Sequence, residues 1–324
     1  SWTVCRAEIW ASNIFALAYP FLRRIPLIIH HNSRSVTPSR VVVLGASGFV
    51  GQHMSQKLRD HNIPMLTLSS DDVDLCDPSC IRHLKRVVKS DDTLLFVSAL
   101  TPDKGKGINT LMSNLKMGEH VSLFLEQAIC SHVVYISSDA VYADNANPVL
   151  ETSCCDPSSF HGLMHMARER MLTHVLLNTE TPLLCLRPCA MYGIDDTHNG
   201  YGPNRFLSTA FREGQITLFG NGEEKRDHLY IDDFSHLVLQ CILHRSSGVL
   251  NVASGHAVSF HNIAEKISVM CDHQVQINPL PRTNAITHRH FDITSAIKAF
   301  PDLKYTRLAD GIAATIAGTA AFGG

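Results

Sequence analysis

The chain has no apolar run of the roughly 18 residues that a helix needs to cross a bilayer, so no membrane span is expected. It also lacks net charge. Its 28 Lys and Arg face 30 Asp and Glu, a formal charge of -2. That leaves no global electrostatic case for nucleic acid as a partner. None of its ten cysteines forms a C-x-x-C pair. Disulfide frameworks belong to small secreted domains, and 324 residues is not small. The thiols read as reduced, several of them in the core, in a cytoplasmic protein. Cys76/Cys80 and Cys185/Cys189 are spaced i, i+4 but lack neighbouring His or acid ligands in sequence. No metal site is expected there.

Acid is scarce in the first forty residues. Arg6, Arg23, Arg24, Arg34 and Arg40 face Glu8 alone, among apolar residues such as Trp2, Ile9, Trp10, Phe15 and Phe21. Residues 1–40 are therefore set apart as an extension of uncertain structure. A targeting or membrane-surface segment, a disordered extension and a piece packed on the main body are the three readings.

From Val41 onward, short apolar runs alternate with helical patterns. Val41–Leu44, Met65–Leu68, Leu94–Val97, His132–Ser137 and Leu183–Leu186 read as strands. Phe49, Val50, Met54 and Leu58 recur at helical spacing, and further helices are predicted over about 113–129 and 159–177. This alternation predicts an α/β fold, a Rossmann doubly wound parallel sheet buried on both faces. After Pro188 the pattern is irregular, and a smaller C-terminal substrate lobe is expected. The assignment is 41–188 plus 226–253 to the sheet domain and 189–225 plus 254–324 to the lobe.

Gly45-Ala46-Ser47-Gly48-Phe49-Val50-Gly51 follows a strand and opens a helix. That context raises a glycine motif above chance. Gly45 permits the sharp turn, Gly48 lets the backbone approach a pyrophosphate, and Gly51 lets the helix sit close. Unpaired N–H groups at the helix start favour an anion. Ser47, Phe49 and Val50 belong to the same cradle. The second strand ends at Leu68-Ser69-Ser70 without an acid, and Asp71, Asp72 and Asp74 follow. Ser69 suits a ribose or a 2′-phosphate, so NAD and NADP both stay open.

With these segments in order, the chain resembles the extended short-chain dehydrogenase/reductase superfamily, in particular its NAD-dependent epimerase/dehydratase group acting on nucleotide sugars. Val73-Asp74-Leu75-Cys76-Asp77 is similar to the "D-L-x-D" stretch near the adenine, which adds Asp74 and Leu75 to the cofactor residues. Asn114 falls at a family Asn. Ser137 to Tyr142 resembles "S-S-x-x-V-Y". Arg187-Pro188 through Gly193 resembles "R-P-x-x-x-Y-G", Arg226 to Asp232 resembles "R-D-x-x-x-V-x-D", and Asn251 to Gly255 resembles "N-x-x-x-G". The resemblance implies a nucleoside-diphosphate sugar as substrate, with Arg226 on its diphosphate and Asn204 among its contacts. It also implies a homodimer built through a helix pair. Asp232 and Asp233 read as caps of the next helix, and an ion pair with Asp227 or Asp232 is the plainer role for Arg226.

The resemblance breaks at the proton-transfer residues. The family carries Ser or Thr, Tyr and Lys, with Tyr and Lys in "P-x-x-x-Y-G-x-x-K". Pro157-Ser158-Ser159-Phe160-His161-Gly162-Leu163-Met164-His165 puts His161 at the Tyr and His165 at the Lys, with Glu169 in the acid position beyond. Ser138 falls at the family Ser/Thr, and Asp139 where dehydratase-like relatives keep an acid. A neutral His165 cannot carry the permanent charge of Lys, since its reference pKa is about 6.5 against about 10.4. His161 is a candidate general acid or base. His161, His165 and Glu169 share one helix face, and the histidines have the spacing of two zinc ligands but no further ligands identified. Two functions stay open: an epimerase, dehydratase or reductase-like enzyme, and a degenerate member serving as a dinucleotide- or nucleotide-sugar-binding scaffold or regulatory subunit. The plainest alternative is two exposed helix histidines in a chain with nineteen.

Overall fold

Val41, Val42, Val43 and Leu44 are all completely buried. Successive side chains of a strand point to opposite faces, so such a run requires cover on both sides. The protein is described by a computed structural model covering residues 28–196 and 198–319. The targeting or membrane-surface reading of the N-terminal segment falls on residues that, through 27, lie outside those described.

Strand β1 is Ile28–His30 and β2 is Arg40–Leu44. Helix α1, Phe49–Asp60, leads to β3, Met65–Leu68. Helix α2, Ser79–Val87, precedes β4, Asp92–Phe96, and α3, Ile108–Leu125, precedes β5, His132–Ile136. Helix α4, Phe160–Leu176, leads to β6, Leu183–Pro188. The expected strands and helices are present. Helix α3 begins earlier than the periodicity suggested, because its first turn exposes Ile108 and Met112 and breaks the apolar pattern.

A seven-stranded sheet has the order β1-β10-β6-β5-β4-β2-β3, where β10 is Ser246–Val252. From β10 to β3 every pair is parallel. Only β1 runs antiparallel, along β10. Part of the N-terminal extension thus belongs to the sheet as an edge strand. The chain moves from β2 to β3 on one side and returns to β4 on the other. The order therefore reverses between β2 and β4, and a crevice opens at their carboxyl ends.

One apolar cluster joins Val41, Val43, Leu95 and Val134 to Met54 and Leu58 of α1. Helix α6, Ile231–Leu243, completes that face with Phe234, Leu237 and Val238. The second cluster joins Val42, Leu44, Phe96 and Val133 to Leu84 of α2, Phe124 of α3 and Leu172 of α4. The alternation of the strands thus feeds two cores, one on each side.

Two small sheets meet the carboxyl ends. Strands β7, Ala190–Tyr192, β9, Lys225–Tyr230, and β11, Ala257–Ser259, pair in the order β11-β9-β7. Strand β8, Gln215–Phe219, pairs with β12, Gln276–Leu280. The boundary expected at residue 226 falls inside β9, whose partners are β7 and β11 and not the large sheet. Helices α5, Pro203–Glu213, α7, Phe260–Met270, α8, Thr294–Ala299, and α9, Leu308–Gly318, complete the described residues. No helix among them is long and apolar enough to cross a membrane.

Candidate active site

Gly45 follows β2 at φ 94°, a backbone conformation that disfavours any side chain. A Cβ there would also meet the Ser98 backbone at 2.8 Å. A Cβ on Gly51 would meet the Gly45 carbonyl oxygen at 2.1 Å, so this glycine lets α1 close on the turn. Gly48 differs, because the nearest atom to its Cβ position is 3.6 Å away. It is the N-cap of α1, and no side chain caps that helix start. The leading N–H groups and helix dipole are left for an anion.

This turn lines a trough of about 310 Å³. Gly45, Ser47, Gly48, Phe49 and Val50 form one wall, and Ser69, Asp74 and Leu75 lie at the far end. Asp72 receives both the backbone N–H and the hydroxyl of Ser69, at 2.8 and 2.7 Å. These bonds hold its carboxyl below the usual range. Asp72 thus holds Ser69 at the strand end, and Asp74 is the following acid that lines the trough.

Val50, Val97, Ala99, Thr101 and His198 also line a second cavity of about 350 Å³, so the two are continuous. Ser138, Asp139, His161 and His165 meet there. Ser138 caps a short 3-10 turn, Asp139–Val141, by accepting the Ala140 N–H. Gly162 brings the start of α4 against this turn. A Cβ there would lie 2.0 Å from the Ala140 oxygen. That approach sets His161 beside the Ser138 segment.

Burial pushes the His161 pKa down to about 4, aided by Arg168 and His198. Its Nδ1 is buried and finds no partner among the described residues. His165 packs edge-on against it with ring centroids 4.7 Å apart. His165 Nδ1 is 2.7 Å from the Tyr135 hydroxyl. Burial, then His161 and Arg168, holds His165 well below the ordinary histidine value. Both rings are neutral at pH 7, and neither is an exposed surface histidine. Burial raises the carboxyl pKa of Asp139, opposed by Arg289, Arg226 and the Ser138 hydroxyl. Among the described residues no group of His, Cys, Asp and Glu is arranged to hold a metal.

Glu169 is not in the cavity. It is buried against Arg187, which donates Nε and Nη2 at 2.9 and 2.6 Å. Ser137 adds a hydroxyl at 2.6 Å. Arg187 also donates to the Tyr142 hydroxyl, which donates in turn to Asn251. Residues from four separate sequence motifs therefore meet in one buried network behind the site.

Arg226 reaches the cavity, but its ion pair is with Glu224, at 2.5 Å, and not with Asp227 or Asp232. Asp227 instead accepts from Ser254 and from the Gly255 N–H. Asp233 caps no helix. It receives the backbone and hydroxyl of Thr306 and pins the approach to α9. Asn204 lines an adjoining cavity, with its amide spent on both backbone groups of Gly193. Sequence reading missed Arg289, which is buried, lines the cavity and lies 3.5 Å from Asp139. It also missed His198, held protonated more readily by Asp196, and His228, driven down to about 4 by burial. Arg289 sits in no motif. Its bridge to Arg226 and its bonds to the Asp139 and Tyr142 carbonyls bring it in.

Three solved structures share this fold. MoeE5 in complex with UDP-glucose and NAD is 22% identical, with a TM-score of 0.72 over 86% of this chain and 98% of that one. The Thermus thermophilus UDP-glucose 4-epimerase complex with NAD is 17% identical, with a TM-score of 0.75 and coverage of 86% and 98%. UDP-N-acetylglucosamine 4-epimerase from Methanobrevibacter ruminantium, in complex with UDP-N-acetylmuramic acid, is 20% identical, with a TM-score of 0.76 and coverage of 87% and 98%. At such identities the likeness speaks for the fold. Residues 41–253, which hold the glycine turn, both site histidines and Arg226, match the family model, and the chain belongs to the NAD dependent epimerase/dehydratase family.

Proposed function

We propose that this protein binds a nicotinamide dinucleotide in the trough and acts on a nucleoside-diphosphate sugar in the adjoining cavity, as an epimerase, dehydratase or reductase-type enzyme. The continuity of trough and cavity carries this reading. Gly48 gives the pyrophosphate its approach, and Ser69 with Asp74 faces the adenosine ribose. The Asp74 carboxylate in that lining disfavours a 2′-phosphate, so NAD is preferred. NAD in complexes of similar folds agrees with this. A nicotinamide bound there supplies the hydride acceptor.

The protein's own groups handle protons and charge. His161 is neutral and accepts the proton of a sugar hydroxyl. With a pKa of about 4 it accepts weakly and returns the proton readily. Ser138 offers a hydroxyl to the same oxygen. Asp139 keeps its proton to higher pH than an exposed carboxyl, which suits a general acid. Arg226 and Arg289 supply the cationic fork for a diphosphate. The division of labour is a sheet domain for the dinucleotide and a C-terminal lobe for the sugar nucleotide. Exposed Ile108 and Met112 on α3, with Phe160 and Leu163 on α4, support a homodimer through this helix pair. The reading includes a cytoplasmic location and no nucleic acid partner.

Purified protein titrated with NAD, NADP and a panel of nucleoside-diphosphate sugars tests the proposal. Dinucleotide binding and conversion of at least one sugar nucleotide are expected. His161→Ala is expected to lower kcat about 10²- to 10⁴-fold with dinucleotide affinity retained. Binding without conversion of any sugar nucleotide would replace the enzyme with the scaffold. An active His161→Ala variant would remove that residue from the chemistry.

A further inference from the structure

Strand β9 carries Arg226 and His228 two residues apart, so both side chains lie on one face, and both line the cavity. Asp227, between them, is engaged by Ser254 and the Gly255 N–H. His228 is 7% exposed, and neither of its ring nitrogens has a hydrogen-bond partner among the described residues. It also lines the adjoining cavity of about 390 Å³. The polar side chains that share that cavity are committed elsewhere: Thr101 to Asp103, His198 to Asp196, Asn204 to Gly193 and Tyr201 to the Phe219 N–H. Phe260 meets the His228 ring edge-on, with centroids 5.6 Å apart. Gly202 leaves Nε2 uncovered, since a Cβ there would lie 3.0 Å from that nitrogen. An unpaired polar group so deeply buried costs stability, and no bond within the described chain offsets it.

The ring is neutral at pH 7. Burial drives its pKa down to about 4, and the Arg226 charge adds to this. The Arg226 carbonyl opposes the shift but makes no hydrogen bond to the ring. A neutral imidazole has one N–H donor and one acceptor nitrogen. That suits a hydroxyl, which both donates and accepts, better than a diphosphate, which only accepts and prefers a cation. Arg226 supplies the cation about 7 Å along the strand, a span that one sugar ring fills. Resting on the reading above, we propose that His228 is a substrate-binding residue: with the diphosphate on Arg226, its imidazole hydrogen-bonds a hydroxyl of the sugar other than the one that reacts at His161. The ring nitrogens then find their partner in the bound substrate. A sugar that lacks this hydroxyl leaves them unpaired, so His228 selects among sugars. The adjoining cavity gives that end of the sugar room for a substituent.

Calorimetric titration of the full chain with UDP-glucose, dTDP-glucose and GDP-mannose, each beside its own nucleoside diphosphate, tests the assignment. His228→Phe keeps a ring against Phe260 and removes both nitrogens. Its Kd for the sugar nucleotide that the wild type binds is expected to rise about tenfold, the loss of one hydrogen bond. Nucleoside diphosphate and NAD should bind it as they bind the wild type. Free of ligand, the same variant is expected to melt above the wild type, because the unpaired polar group is gone. His228→Gln retains a donor and an acceptor and should recover part of the lost affinity. Where His228→Phe does not fold, His228→Leu makes the same comparison. Unchanged sugar-nucleotide affinity in the folded apolar variant overturns the proposal, since a merely structural histidine would move the melting temperature alone. An equal loss for the nucleoside diphosphate also overturns it, by putting the bonded group on the nucleotide. A wild type that binds no sugar nucleotide overturns the functional reading and the assignment with it. A wild type that binds, with the apolar variant binding equally, overturns the assignment alone.

Discussion

Glu169 and Arg187 are buried together, with both carboxylate oxygens engaged. Such a pair adds little over apolar packing, but removing one partner strands a charge. Glu169→Gln keeps the shape and leaves the guanidinium unpaired. The expected loss is about 3 to 5 kcal/mol in urea denaturation. Unchanged stability would mean that Ser137 and Tyr142 suffice to hold Arg187. The motif positions of Glu169, Arg187, Tyr142 and Asn251 are legible in sequence. That they bind one another, and not a ligand, is not, because they come from segments far apart in the chain. Arg168 illustrates the same limit. Beside His165 in sequence it reads as an ordinary helix arginine, and only the approach of α3 shows that it is buried.

At the scale of an element, the turn from β2 into α1 separates folding from binding within seven residues. Gly51→Ala places a Cβ 2.1 Å from the Gly45 oxygen, so the helix must move. Gly48→Ala meets nothing closer than 3.6 Å, at an ordinary φ of -77°. Gly48→Ala is therefore expected to melt within about 1 kcal/mol of wild type and to lose dinucleotide affinity. Gly51→Ala should lose several times more stability. Thermal melting with and without dinucleotide measures both. Equal melting of the two variants would contradict the geometry. The turn and its helix follow from local pattern. Strand β1 does not, since Ile28–His30 is short and its pairing partner β10 lies more than two hundred residues away.

Across the whole molecule, burial holds several histidines neutral. His132, His161 and His228 are each pushed down to about 4 from 6.5, and His165 falls well below 6.5. A group depressed on folding stabilises the native state above its unfolded pKa. That contribution is lost as pH falls toward the folded value. Stability should therefore decline from about pH 6.5 toward pH 4, by up to about 1.4 kcal/mol per pH unit for each such histidine. His198, raised by Asp196, works in the opposite sense. A melting temperature that stays flat from pH 7 to pH 5 would show that these rings accept protons without unfolding. His132→Phe should flatten the decline by one histidine's share.

The α/β alternation, the glycine turn and the motif order are all legible along the chain. Each of these is a local or periodic property, written in neighbouring residues. The sequence also sets His161 and His165 one turn apart on a helix face. Tertiary packing set their surroundings. It buried both rings, supplied Tyr135 behind them and brought Arg289 to Arg226 across the lobe. Burial and charge pairing arise between segments distant in the chain, and no spacing along the chain encodes them.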